Sequence, residues 1–84
     1  MPYFVYILEC KDKTLYVGST SDIEKRVHAH NNLKSGAHYT KIRRPVILKY
    51  SEEVANLSLA RKREVELKRL ARKEKLNLMY GVIK

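Results

Sequence analysis

Only one cysteine is present, Cys10, so the chain can close no internal disulfide and its fold must rest on packing and hydrogen bonds. A lone thiol at the end of an apolar run reads as a small buried side chain rather than a nucleophile. A chain of this kind is expected in a reducing, cytoplasmic setting. No apolar run approaches the roughly 18 residues that a membrane-crossing helix requires. The N-terminus has neither a basic region nor a small-residue cleavage site, so a signal peptide is not expected. Zinc chemistry is also disfavoured: His28 and His30 diverge on a helix, and His38 and Cys10 do not complete a ligand set. Repeats, linkers and low-complexity segments are absent. At 84 residues the chain buries only about 60% of the surface that it exposes when unfolded, which suits one domain over residues 1–84 with a thin core.

Acidic residues are scarce. Nine Asp and Glu face eighteen Lys and Arg, for a formal charge of +9. That excess attracts polyanions, with nucleic acid the first candidate. An anionic membrane surface fits less well, because no segment combines a basic face with exposed aromatics.

What the chain does have is an apolar N-terminal hairpin. Residues 3–8, YFVYIL, form an unbroken apolar run that reads as a central strand buried on both faces. Residues 14–18, TLYVG, form a second short strand, with the polar stretch CKDK as the loop between them. Tyr6 and Tyr16 place phenols where hydrocarbon is the usual choice, and each hydroxyl needs a partner once it leaves water. An odd-numbered loop such as Lys11-Asp12-Lys13 would put both rings on one face; a two-residue loop would separate them.

Ser21-Asp22-Ile23-Glu24 reads as a capping box with Ser21 as N-cap, opening a first helix. Ile23, Val27 and Leu33 share one side of that helix, and Arg26 and His30 fall on the same side, one turn apart. Taken singly, His30 suits a satisfied structural histidine and Arg26 a snorkelling side chain. Residues 31–44 then form a basic loop, with Lys34, Lys41, Arg43, Arg44 and an interleaved Tyr39 suited to phosphates and base stacking. Pro45 introduces a third strand over 46–50, ended by Ser51-Glu52-Glu53. A long helix from about Val54 to Ala71 follows, with a charged continuation to Lys75 and an apolar tail from Leu76 that caps the core. Its inward stripe is Leu57, Ala60, Leu67 and Ala71, extended by Leu59 and Leu70, and Glu64 interrupts it. A carboxylate there needs a metal or a partner, and Lys68 stands one turn away.

Taken together, these residues resemble the GIY-YIG endonuclease superfamily. Phe4-Val5-Tyr6 stands for the first triplet and Tyr16-Val17-Gly18 for the second. Arg26 follows ten residues after the second tyrosine, His30 one turn later, and Glu64 lies on the later helix. The likeness runs from Tyr3 to about Lys75. It is nearest the small stand-alone bacterial proteins related to the nuclease domains of excinuclease C and of structure-specific resolvases.

The resemblance implies an α/β domain of the α+β type, a small three-stranded, mostly antiparallel sheet flanked by helices, with the active site on one sheet face. It implies divalent-metal-dependent hydrolysis of DNA phosphodiester bonds, in branched, nicked or flapped forms. Glu64 would hold one Mg²⁺ or Mn²⁺ whose other ligands are mostly water. Arg26 would neutralise charge on the scissile phosphate. Tyr16 would position or deprotonate the attacking water, with Tyr6 and His30 orienting it, and His30 stands as the alternative base because its intrinsic pKa suits the task better. Lys34, Tyr39, Lys41, Arg43, Arg44 and Lys68 would meet the nucleic acid, reading structure rather than sequence.

Two departures stand out. Phe4 replaces the first glycine, and Ser19 stands where the excinuclease branch often has lysine. No DNA-binding domain follows, so a partner protein is expected to supply specificity. A non-catalytic nucleic-acid-binding module with the same fold is the alternative, as is a subunit whose charge serves an acidic protein.

Overall fold

The computed structural model describes residues 2–33 and 38–81. Strand β1 spans Tyr3–Cys10 and β2 spans Leu15–Thr20; helix α1 covers Ile23–Asn32 and the single turn α2 His38–Lys41. Strand β3 runs over Val46–Val54, followed by helices α3, Leu57–Arg69, and α4, Arg72–Tyr80. The sheet is antiparallel throughout, in the order β2-β1-β3. The fold class is therefore the expected α+β one, with the apolar run of residues 3–8 at its centre.

Because β1 is flanked on both edges and packed on both faces, its side chains alternate between two cores. Val5 and Ile7 join Val17, Ala60 and Leu67 in a hydrocarbon layer under α3. Tyr6, Leu8 and Cys10 turn the other way, with Val46, Tyr16 and Val27 packed around them. Cys10 is a buried free thiol there.

Strand β3 needs an irregularity to serve both layers. Its register against β1 shifts between Ile7 paired with Tyr50 and Leu8 paired with Leu48. The extra residue at Lys49 reverses the facing of everything before it. Tyr50 and Val54 thus pack on the hydrocarbon layer, and Val46 on the opposite one. Asn31 then fixes the start of β3, donating to the Val46 carbonyl at 3.1 Å and accepting from its amide at 2.7 Å.

Several expected boundaries move. The N-cap of α1 is Asp22, one residue later than Ser21, and its carboxylate accepts from the Lys25 amide at 3.1 Å. Both residues cap well, but only Asp22 also ties back to Thr20, whose hydroxyl accepts from its amide and donates to its carbonyl. Ser51 to Val54 continue β3 instead of ending it, since pairing with Tyr3 to Tyr6 satisfies their backbone. Asn56 then caps α3, so Val54 is strand rather than helix. The long last helix breaks at Leu70 and Ala71, both extended, and α4 starts afresh with the Ala71 amide bonded to Glu74 at 3.1 Å. Leu78 and Met79 pack on the hydrocarbon layer, while Leu57 and Leu59, assigned to the inward stripe, are 38% and 46% exposed. Gly81 closes α4 in the left-handed conformation (φ 61°), which favours glycine. Val82 and Ile83, in the same apolar tail, lie outside the described residues.

Candidate active site

The hairpin decides which residues can meet. Its loop is Lys11-Asp12-Lys13, with the Lys13 amide bonded to the Cys10 carbonyl at 2.9 Å and Lys13 at φ 70°. Three loop residues place Tyr6 opposite Gly18 and Leu8 opposite Tyr16, so both phenols leave the sheet on one face. Gly18 is required by space rather than by dihedral angle. A Cβ there would lie 2.6 Å from the Tyr6 hydroxyl oxygen and 2.7 Å from its Cζ. The glycine is what lets the Tyr6 ring lie flat across β2.

Helix α1 covers that face and delivers His30, which is fully buried. The Tyr6 hydroxyl and His30 Nε2 are 2.9 Å apart, and His30 Nδ1 is 2.8 Å from Thr40 Oγ1. Both ring nitrogens are therefore engaged by neutral partners. Burial, followed by the charges of Arg26 and Arg44, pushes the His30 pKa down to about 4. Burial also pushes the Tyr6 phenol up to about 12, against the pull of a hydrogen bond from Arg26. At neutral pH the pair is uncharged, a hydrogen-bonded frame rather than a source of charge.

Tyr16 is the more accessible phenol. Its ring meets His30 edge-on at 5.1 Å and tilts against Tyr39 at 6.0 Å. Arg43 lies over the Tyr39 ring at 3.9 Å and pairs with Asp12 of the hairpin loop at 3.1 Å. The Lys11 amide also bonds the Arg43 carbonyl at 3.0 Å, so the segment after α2 is tied to the hairpin by backbone and side chain.

Glu64 arrives from the other side. Its helix packs on the hydrocarbon layer, and the carboxylate reaches β2 at its edge, where Ser19 Oγ donates to Oε1 at 2.8 Å. Lys68 Nζ donates to Oε2 at 2.7 Å. Four of the five residues singled out in the sequence thus share one sheet face, and the fifth, held by Ser19, stands at the edge strand β2. Its charge is felt at the Tyr6 phenol, as one of the smaller influences raising that pKa.

The basic residues divide. Lys41 is part-exposed and follows Thr40 in the chain. Lys34 and the side chain of His38 lie outside the described residues. Arg44 has a structural use: its Nε donates to the His30 carbonyl at 2.6 Å, and Nη2 donates to the carbonyls of Leu33 at 2.6 Å and Ala29 at 3.3 Å. It satisfies the C-terminal carbonyls of α1, where a cation also suits the helix dipole. Arg43 and Lys68 are held in ion pairs. Thr40, fully buried against His30, and Ser19, against Glu64, are the partners that sequence reasoning missed. No local pattern marks them, because each meets its partner through a contact distant along the chain.

A divalent cation would find one hard oxygen donor here. Glu64 keeps 23% of its side chain accessible, and its partners, a hydroxyl and an ammonium, can be displaced. Among the described residues no three His, Cys, Asp or Glu side chains gather into a cluster. The donor set suits an ion that takes one carboxylate and keeps its water, such as Mg²⁺ or Mn²⁺, and does not suit structural zinc. Among the described residues no helix is long and apolar enough to cross a membrane.

The family profile of the GIY-YIG catalytic domain matches residues 2–77. A UPF0213 protein of Syntrophus aciditrophicus is 57% identical over 76 residues, covering 90% of this chain and 87% of that protein. One from Staphylococcus saprophyticus is 52% identical over 77 residues, covering 92% and 93%. The solution structure of a protein from E. faecalis matches with a TM-score of 0.63 at 35% identity, covering all of this chain and 92% of that one. That of a UPF0213 protein from Bacillus halodurans matches at 0.59 with 38% identity, covering 95% and 84%.

Proposed function

The chain belongs to the GIY-YIG family and, within it, to the UPF0213 proteins; from that premise we propose that it is a single-domain, divalent-metal-dependent endonuclease acting on branched, nicked or flapped DNA. The observation that carries this reading is the convergence of Tyr6, Tyr16, Arg26 and His30 on one face, with Glu64 at the adjoining sheet edge. Packing alone has no need of two phenols, an imidazole and a guanidinium in contact.

In this reading water attacks the phosphorus and one phosphorus–oxygen ester bond breaks. Tyr16, the accessible phenol, positions that water and, in its phenolate form, takes its proton, while the departing alkoxide takes a proton from solvent. His30 is not the base: it is sealed from solvent and both nitrogens are occupied. Its part is to hold the Tyr6 hydroxyl, with Thr40 fixing the far side of the ring. Arg26, bonded to Tyr6, sets a positive charge beside the phosphate. Glu64 would hold Mg²⁺ or Mn²⁺, which when bound supplies positive charge to the phosphate oxygens. Lys41 and Arg43 contribute phosphate attraction without sequence preference, and a partner protein supplies further specificity.

Glu64→Gln tests the assignment. Mg²⁺-dependent cleavage of labelled flap and branched DNA should fall to background, and metal-free DNA binding should be equal or tighter. The melting temperature should move by less than about 5 °C, since a part-exposed ion pair contributes under about 1 kcal/mol. The Lys68 pairing favours a second reading, a non-catalytic DNA-binding module in which Glu64 is structural. Cleavage that persists in folded Glu64→Gln protein, or wild-type protein that binds but never cleaves, would replace the enzyme by the binder.

A further inference from the structure

Alongside the site runs a second feature, of which the mechanism uses only Arg26. A groove of about 460 Å³ extends along α1, from Thr20 and Asp22 past Lys25 and Arg26 to Ala29 and Leu33. Those positions lie on one side of the helix, and from Asp22 to Leu33 the helical rise is about 16 Å. The corner at its head is pre-organised: the Thr20 hydroxyl bonds both backbone groups of Asp22, and the Asp22 carboxylate accepts the Lys25 amide. That carboxylate is committed to the helix cap.

The groove changes character along its length. Lys25 and Arg26 bring two positive charges to its middle. Ala29, 5% exposed, and Leu33, 43% exposed, give it an aliphatic floor one turn further on. Cations beside an aliphatic surface match a nucleotide, whose phosphate is charged and whose base has two apolar faces. Arg26 belongs to both places, lining the groove and bonding Tyr6. A strand with one phosphate at Arg26 can therefore enter the groove with its neighbouring nucleotide. The volume lies at the small end of ligand pockets, about 300–1,000 Å³, enough for one nucleotide. A paired base would have its faces covered by stacking and its edge by its partner, and could not lie on this floor.

We propose that the α1 groove is a subsite for one unpaired nucleotide next to the scissile phosphate. The proposal rests on the nuclease reading of the adjoining site and adds a physical reason for preferring flaps and single-stranded junctions over continuous duplex.

The test is metal-free and needs no cleavage. Thymidine 3′,5′-bisphosphate is titrated into ¹⁵N-labelled full-length protein, with inorganic phosphate as control. Amide shifts should concentrate at Ser21, Lys25, Arg26, Ala29 and Leu33. The exposed substitution Leu33→Glu should weaken binding about fivefold or more, the loss expected when one base contact goes. Lys25→Glu serves as a second variant should Leu33→Glu fail to fold. Shifts confined to Tyr39–Arg43, equal response to inorganic phosphate, or unchanged affinity in a folded variant would overturn the groove. Cleavage by protein that fails this test leaves the nuclease reading standing, whereas groove binding without cleavage of any DNA removes that reading alone.

Discussion

Val5 and Ile7 leave β1 toward α3, whereas Tyr6 between them leaves toward α1, and the two faces are built on different terms. Under α3 the contacts are hydrocarbon: Val5, Ile7, Val17, Ala60 and Leu67. Under α1 the centre is a chain of hydrogen bonds from Arg26 through Tyr6 and His30 to Thr40. Hydrocarbon burial is non-directional, at roughly 25 cal/mol per Å², and tolerates small shifts. A buried hydroxyl or imidazole must meet its partner in both distance and direction, or it costs about 1–3 kcal/mol. Among the described residues every buried side-chain nitrogen and oxygen has a partner. One face holds the domain together, and the other is held in register by it.

Leu67→Ala should break the first face with the largest effect. Leu67 is fully buried, and a leucine truncated in such a place costs about 2–5 kcal/mol. Urea unfolding should show that loss, while cleavage per folded molecule stays unchanged. A selective loss of cleavage in folded protein would blur the division between the faces.

The second face should reveal itself through pH. Folding holds the His30 pKa down at about 4, below its ordinary value near 6.5. Between those values the unfolded chain takes up a proton that the folded one refuses, so stability falls as pH falls. The full window corresponds to about 3 kcal/mol, at about 1.4 kcal/mol per pH unit. Denaturation midpoints measured from pH 7 down to 5 should show that slope in the wild type and in Leu67→Ala alike. A His30→Gln variant should lose it; an unchanged slope there would assign the effect elsewhere.

Gly18→Ala adds one methyl group to the Tyr6 face alone. With 2.6 Å to the Tyr6 hydroxyl oxygen, either the ring or the strand must move. The expected cost is about 1–3 kcal/mol, a smaller stability effect than that of Leu67→Ala. The signature is selective: the Tyr6–His30 bond is lost, the His30 pKa rises toward its ordinary value, and cleavage per folded molecule drops. NMR titration of the imidazole distinguishes this from a general loosening.

Much of this was legible in the chain. Unbroken apolar character marked residues 3–8 as the central strand, and parity made a shared face for Tyr6 and Tyr16 depend on an odd-numbered loop, a choice that the structure settles with Lys11-Asp12-Lys13. One-turn spacing put Arg26 and His30 on the same side of α1, because local geometry alone sets which side chains a helix aligns. Other features had no local signal. Ser19 meets Glu64 across 45 residues, and Arg44 closes α1 across a loop. The break at Leu70 and Ala71 carries no proline or glycine to announce it, and the bulge at Lys49 exists only because β3 must face two cores. Local sequence therefore carried the main strands and helices, the positive charge and the candidate residues of the site. Tertiary structure alone decided that His30 is sealed at both nitrogens, that Arg44 supports a helix, and that Glu64 stands at the sheet edge. Periodicity and composition act within one element, whereas partner choice for a buried polar group is settled only when distant elements pack.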